Sequence, residues 1–165
     1  MFQSTCDLSD TYGRRARVLP PVLRHFGGRI RFGGEIATLK CFEDNSRLRE
    51  LTSTSGAGRV LLVDGGGGTR HALLGDTIAN EALAHGWAGI VVHGSVRDTA
   101  TLATLDLGVM ALAATPLRSL KNGEGTAGIT VEIGGVACSP GELLFADEDG
   151  VLVIDAGAFD TGDRS

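Results

Sequence analysis

Two runs of aliphatic residues, VLLVD at 60–64 and GIVVHG at 89–94, flank a helix-length stretch, and that spacing leaves few folds open. A run with no polar alternation must bury both faces, which is the situation of an interior strand in a parallel sheet. Between the two runs, the residues predict a helix over Asp76–His85 that buries Ile78, Ala79, Ala82 and Leu83 and stops at Gly86. Charged side chains follow the apolar runs: Asp76, then, after twenty residues, the pair Arg97-Asp98. Charges at the mouth of a parallel sheet sit where open α/β folds meet their ligands.

The flanking sequence fills in the class. Ser4 or Thr5 can cap a short helix over Cys6–Tyr12, and the Pro20-Pro21 pair prevents helix from continuing through it. GRIRFGGEIATLKC (28–41) is an extended segment, and its Gly33-Gly34 pair suggests a bulge or hairpin turn. Asn45 or Ser46 opens a second short helix with Leu48 and Leu51 toward the core. A third short helix is expected over 99–105 and another strand over Val109–Ala114. From Gly128 onward, short apolar runs separated by Gly-Gly, Pro-Gly and Asp-Gly read as antiparallel hairpins. The expected fold is therefore α/β, a single domain over 1–155 with a central β-α-β unit, a hairpin-rich C-terminal half and a fraying tail from 156 to 165.

Composition excludes several functions. The chain has 165 residues, a net charge of −5 and a pI near 5.3, so it offers no cationic field for direct nucleic-acid or membrane binding. Its start has neither a basic nor an apolar leader pattern, and no apolar run approaches membrane-spanning length, which points to a cytoplasmic protein. Cys6, Cys41 and Cys138 have no zinc or redox spacing and read as small buried residues in a reducing compartment. His25, His71, His85 and His93 form no ligand motif, with His93 expected to pack at a strand end. Gly65–Gly68 lacks the Lys-Ser/Thr of a phosphate loop and the spacing of a dinucleotide fingerprint, so its glycines serve close approach of a ligand or a neighbouring chain. Neither lysine lies near Arg97-Asp98 in sequence, which disfavours a Schiff base and leaves metal-assisted chemistry.

The candidate site follows from these placements. Gly75, Asp76, Thr77 and Ile78 begin a helix, whose free amides and dipole attract anions. Arg97 can grip a carboxylate with two parallel hydrogen bonds, and Asp98 is a hard oxygen ligand suited to magnesium or manganese. Plainer readings stand beside these: Asp76 as an ordinary helix cap, and Arg97-Asp98 as a surface dipeptide.

FGGRIRFGGEIATLKCFEDN (26–45), GRVLLVDGGGG (58–68), LLGDTIANEALAHGWAGIVVHGSVRD (73–98) and GVACSPGELLFADEDGVLVI (135–154) together resemble segments of the RraA-like family, in family order. That family includes the regulator of ribonuclease E activity A and the 4-hydroxy-4-methyl-2-oxoglutarate aldolases. The resemblance implies a swivelling β/β/α-type fold, a homotrimer, and a metal-dependent site near a subunit boundary. It also implies a pyruvyl keto-acid substrate held by Gly75 to Ile78, with Arg97 on its carboxylate or keto oxygen, Asp98 on a Mg2+ or Mn2+ ion, and Asp76 orienting a water as acid or base. Aldol cleavage and oxaloacetate decarboxylation would share one pyruvate enolate. The alternative it implies is a non-catalytic trimer that inhibits ribonuclease E or binds its helicase partners. Many aldolase members are acidic where this chain has Thr101, and larger ones supply a late acidic group, for which Asp147, Glu148 and Asp149 are the nearby candidates. Asp149-Gly150 also reads as plain turn chemistry.

Overall fold

A computed structural model describes residues 2–158 and is built on a ten-stranded mixed sheet. In chain order the elements are α1 (Thr5–Tyr12), a 3-10 turn (Gly13–Arg15), β1 (Ala16–Val18), β2 (Arg24–His25), β3 (Phe32–Lys40), α2 (Ser46–Thr52), β4 (Val60–Asp64), β5 (Ala72–Leu74) and α3 (Asp76–Ala84). There follow β6 (Gly89–Val96), α4 (Thr99–Leu102), β7 (Gly108–Ala114), β8 (Thr126–Ala127), β9 (Val131–Ile133), β10 (Val136–Cys138), β11 (Leu143–Asp147) and β12 (Gly150–Ile154). The sheet runs β1-β12-β11-β3-β4-β6-β7-β2, with β5 beside β6 and β8 beside β3. The centre, β3-β4-β6-β7, is parallel, and the β11–β12 hairpin extends it antiparallel through β3.

Burial explains why these runs become strands. All five residues of β4 are buried, and alternate side chains feed two different cores. Leu61 and Val63 meet Ile78, Ala79 and Ala82 of α3 and Leu48 of α2 on one face. Val60 and Leu62 face the β9–β10 hairpin and β11 on the other, against Val131, Ile133 and Leu144. The N-terminal helix closes the antiparallel end with Leu8 and Tyr12 over Leu152 and Ile154. Ser4 caps that helix by accepting from the Asp7 amide at 3.1 Å, as the sequence suggested.

Several expectations need correction. Gly33 and Gly34 make no turn; they sit inside β3, paired with Phe145 and Leu144. A methyl group on Gly34 would lie 2.4 Å from the Gly58 carbonyl oxygen, and one on Gly33 would lie 2.8 Å from that of Leu144, so the pair provides clearance between backbones. Leu83 is 36% exposed, because it lies about 140° round the helix from Ile78, at the edge of the buried stripe. Asn45 occupies the cap position of α2, but the Asp44 carboxylate does the capping, accepting from the Ser46 amide at 2.9 Å. The third helix is one turn, Thr99–Leu102, and His93 lies within β6, short of the strand end. Cys41 and Cys138 are buried, and burial pushes their thiols up to about 12 and about 11; Cys6 is exposed. In the expected tail, 156–158 add a turn of helix, and 159–165 lie outside the described residues. Among the described residues, no helix is long and apolar enough to cross a membrane.

One packing feature carries a prediction. Phe32, 2% exposed, lies over Gly89 and Gly108; a methyl at Gly108 would come within 2.2 Å of its ring and one at Gly89 within 2.5 Å. Gly108→Ala is expected to cost about 1–3 kcal/mol by overpacking. In urea unfolding, the Phe32→Leu background should reduce that cost, because the smaller side chain opens the space.

Candidate functional site

The short strand β5 sets up the site. It pairs Leu74 with Val96 of β6, so Gly75-Asp76 and Arg97-Asp98 leave the sheet side by side. The Arg97 amide donates to the Leu74 carbonyl at 2.9 Å. Asp98 then adopts a left-handed conformation, φ 57° and ψ 40°, which turns its carboxylate back toward α3. Such backbones are uncommon for residues bearing a Cβ, Asp being among the more tolerant, and they concentrate at functional sites.

There Asp98 Oδ2 accepts from the Asp76 amide at 3.0 Å. The carboxylate that meets the positive end of α3 is therefore Asp98; Asp76 is the first helical residue, with Gly75 in the cap position. The backbone at Gly75 is extended, so its need for glycine is one of space: a methyl there would lie 2.7 Å from Asp98 Oδ2 and 3.3 Å from Arg97 Cγ. Arg97 Nη1 donates to the Pro116 carbonyl at 3.4 Å, and its Nε stands 4.0 Å from Asp98 Oδ2. These side chains remain 40% and 37% exposed, so as an ion pair they contribute little to stability. The amides of Thr77 and Ile78 have no acceptor among the described residues.

An open cleft of about 250 Å³ lies over this junction. Gly75, Asp76, Thr77, Ile78, Arg97 and Asp98 all line it, so the six residues singled out from sequence share one cavity. Ile78 reaches it through its backbone, since its side chain is in the core. Sequence reasoning missed Asn45, Arg49, Arg118 and Lys121, which with Ala72 complete the lining. Asn45 is buried, donates to the Leu73 carbonyl at 3.1 Å, and accepts from Lys121 Nζ at 3.2 Å. Residues 117–122 are docked by further bonds, among them Ala72 amide to Leu117 carbonyl at 2.7 Å, Ser119 hydroxyl to Ala72 carbonyl at 2.7 Å, Leu120 amide to Glu43 carbonyl at 2.8 Å, and Asn122 amide to the buried Asp44 carboxylate. The apolar triplet ALL at 72–74, just ahead of Gly75, was the one available signal for this arrangement.

The late acidic residues lie elsewhere. Asp147 accepts from the Thr5 amide at 2.8 Å and the Thr5 hydroxyl at 2.7 Å, which ties down the start of α1. Glu148 pairs with Arg31, and the turn from β11 into β12 is made by Glu148-Asp149, one residue earlier than the Asp149-Gly150 reading, with Gly150 already in β12 and paired with Asp147. Thr101 lies on α4, outside the cleft lining.

Among the described residues, no group of three or more His, Cys, Asp or Glu side chains could enclose a metal. Asp98 Oδ1, however, has no partner among them, while Oδ2 is engaged by the Asp76 amide. One free carboxylate oxygen beside open space fits a hard cation that keeps most of its waters, as magnesium does, and does not fit a structural zinc ion.

Fold and cleft together define a class: a small α/β protein with a charged recess at the carboxyl ends of its parallel strands, the place where open α/β folds meet their ligands. The chain belongs to the RraA-like family, whose model, described as Aldolase/RraA, matches residues 5–153. It is 53% identical over 153 residues to an Alkalilimnicola ehrlichii protein provisionally named 4-hydroxy-4-methyl-2-oxoglutarate aldolase, covering 93% of this chain and 95% of that one. The structure of the RNA-processing inhibitor RraA from Thermus thermophilis superposes with a TM-score of 0.91 at 49% identity, covering 94% of both chains. A Geobacillus kaustophilus structure described as S-adenosylmethionine:2-dimethylmenaquinone methyltransferase superposes with a TM-score of 0.90 at 41% identity, over 93% of this chain and 95% of that one. One fold thus carries three different functional descriptions, and the site must decide among them.

Proposed function

We propose that this protein is a divalent-metal-dependent lyase that splits 4-hydroxy-4-methyl-2-oxoglutarate into two molecules of pyruvate and also decarboxylates oxaloacetate. The observation that carries the reading is the convergence of Arg97, Asp98 and the open amides of α3 on one small cleft. The amides of Thr77 and Ile78 receive the pyruvyl carboxylate at the positive end of the helix. Arg97, steadied by the Pro116 carbonyl, faces the keto oxygen, where negative charge grows as the carbon–carbon bond breaks. Asp98 holds a Mg2+ or Mn2+ ion through its free oxygen, and the ion, when bound, supplies Lewis-acid polarisation of that keto group.

The electron pair of the breaking bond passes into the enolate of pyruvate in both reactions. In the aldol cleavage the hydroxyl on the neighbouring carbon gives up its proton and becomes the carbonyl of the second pyruvate; in the decarboxylation carbon dioxide leaves. Asp76 orients a water that takes up the first proton and returns one to the enolate carbon. Association as a homotrimer belongs to the same proposal, and Phe42, Leu117 and Leu120 leave large apolar surfaces for it, at 58%, 49% and 47% exposure. The cleft suits a keto acid better than a nucleoside cofactor: none of its lining is aromatic, and its volume is below that of most cofactor pockets.

A coupled assay for pyruvate tests the lyase reading. With magnesium or manganese, pyruvate release from both substrates is expected, and chelator should abolish it; release no faster than in buffer would refute the reading. The Thermus relative's description as an RNA-processing inhibitor favours a second reading, a regulator that binds a ribonuclease without chemistry. Tight ribonuclease binding that survives Arg97→Ala and Asp98→Ala, with no turnover, would establish that one.

A further inference from the structure

Arg49 on α2 and Arg118 on the 117–122 segment reach the same cleft from independent elements, and neither has a carboxylate partner among the described residues. Arg17, Arg29, Arg31 and Arg47 are paired with Glu142, Asp106, Glu148 and Glu50, and Arg15, Arg24 and Arg59 lie over the rings of Tyr12, Phe26 and Trp87; what sets Arg49 and Arg118 apart is that they line the same cleft as Arg97. Arg47 and Arg49 sit on the same short helix, yet only Arg47 is paired. The cleft is lined by four cations, Arg49, Arg97, Arg118 and Lys121, and two carboxylates, Asp76 and Asp98; four minus two leaves a charge of +2 in a chain whose net charge is −5. That excess is present before any metal ion binds, and a ligand with a single carboxylate would leave part of it uncompensated.

We infer that Arg49 and Arg118 form a second anion subsite, which takes the distal carboxylate of a dicarboxylic 2-oxo acid while the pyruvyl end lies at Arg97 and α3. This rests on the proposed placement of the pyruvyl group and adds a selection rule: the protein prefers dianionic 2-oxo acids to monoanionic ones of similar size. The geometry suits the chemistry. The 117–122 segment is fixed to β5 by the Ala72 and Ser119 bonds, so Arg118 is carried on a framed backbone, and its guanidinium can offer a carboxylate two parallel donors. Holding the far end of the substrate also fixes the bond that must break relative to Arg97, a positioning role for these two arginines.

Equilibrium binding in the presence of Mg2+ separates this proposal from the lyase reading, because it requires no turnover. The probes are 2-oxoglutarate, which lacks the hydroxyl needed for aldol cleavage, and 2-oxobutyrate, which lacks the second carboxylate. Wild type is expected to bind 2-oxoglutarate at least about 10-fold more tightly, the scale of one charge-assisted contact. The ratio should fall toward 1 in Arg49→Ala/Arg118→Ala and be partly retained in Arg118→Lys, which keeps the charge but loses the fork. Equal affinity for the two probes in wild type, or a preference that survives the double substitution, would overturn the subsite. Absence of pyruvate release in the coupled assay would instead refute the lyase reading and leave this result standing. Both arginines are exposed, and circular dichroism of each variant verifies that the fold is intact.

Discussion

Arg97→Ala is expected to lower kcat/KM for pyruvate release by about 10²–10³-fold, the usual consequence of removing one donor aimed at a developing oxyanion. The loss should fall mainly on kcat, because the growing charge on the keto oxygen belongs to the transition state more than to the bound substrate. Stability should barely change: the Arg97 side chain is 40% exposed and makes one long hydrogen bond, at 3.4 Å, to Pro116. Arg97→Lys should recover only a fraction of the activity, since an ammonium cannot reproduce the planar fork. Steady-state kinetics beside urea unfolding of the same samples checks both halves, and a variant retaining more than half of wild-type kcat/KM would remove Arg97 from the reaction.

Asp44→Ala is expected to destabilise the protein by about 2–4 kcal/mol, although Asp44 is not among the residues lining the cleft. Asp44 is 1% exposed, and its carboxylate joins α2 to the 117–122 segment through the amides of Ser46 and Asn122. Burial alone would push its carboxyl up, but the amide and hydroxyl of Ser46 and the amides of Asn122 and Glu124 outweigh that and hold it below the usual carboxylate range. Asp147 is shifted the same way: burial is outweighed by the Thr5 amide and hydroxyl, the Asp149 amide and the Arg31 charge. A folded-state value below the unfolded one, about 3.9, gives stability that is complete above that pH and is lost as pH falls through the folded value. Stability should therefore drop below about pH 4, and that acid limb should be shallower in Asp44→Asn and Asp147→Asn. Thermal melts from pH 6 down to pH 2 measure it; unchanged limbs in both variants would contradict the assignment.

Legibility in the sequence followed how local each feature's cause was. The parallel centre could be read because VLLVD and GIVVHG are buried on both faces, a condition written within each run. The start of α3, and with it half of the candidate site, could be read from Gly75-Asp76 ahead of a stripe of small and aliphatic residues. Arg97 and Asp98 were visible as charges after an apolar run, but their meeting with Gly75 depends on β5, three residues long and too short to show a period. Gly33-Gly34 misled, because a glycine pair has the same local preference whether it turns the chain or clears space for Gly58 and Leu144. Arg49, Arg118 and Lys121 were missed because they lie on a helix face and a segment without periodicity, and long-range bonds, among them those made by Asp44, Ala72, Glu43 and Asn45, bring residues 117–122 to the cleft.

A crystal structure of the protein with Mn2+ and oxalate, a planar mimic of the pyruvate enolate, tests the central claim most directly. Anomalous scattering is predicted to place the manganese ion on the Asp98 carboxylate, with oxalate spanning the amides of Thr77 and Ile78 and the guanidinium of Arg97. A cleft left empty at saturating concentrations of both, or manganese bound away from Asp98, would contradict the account.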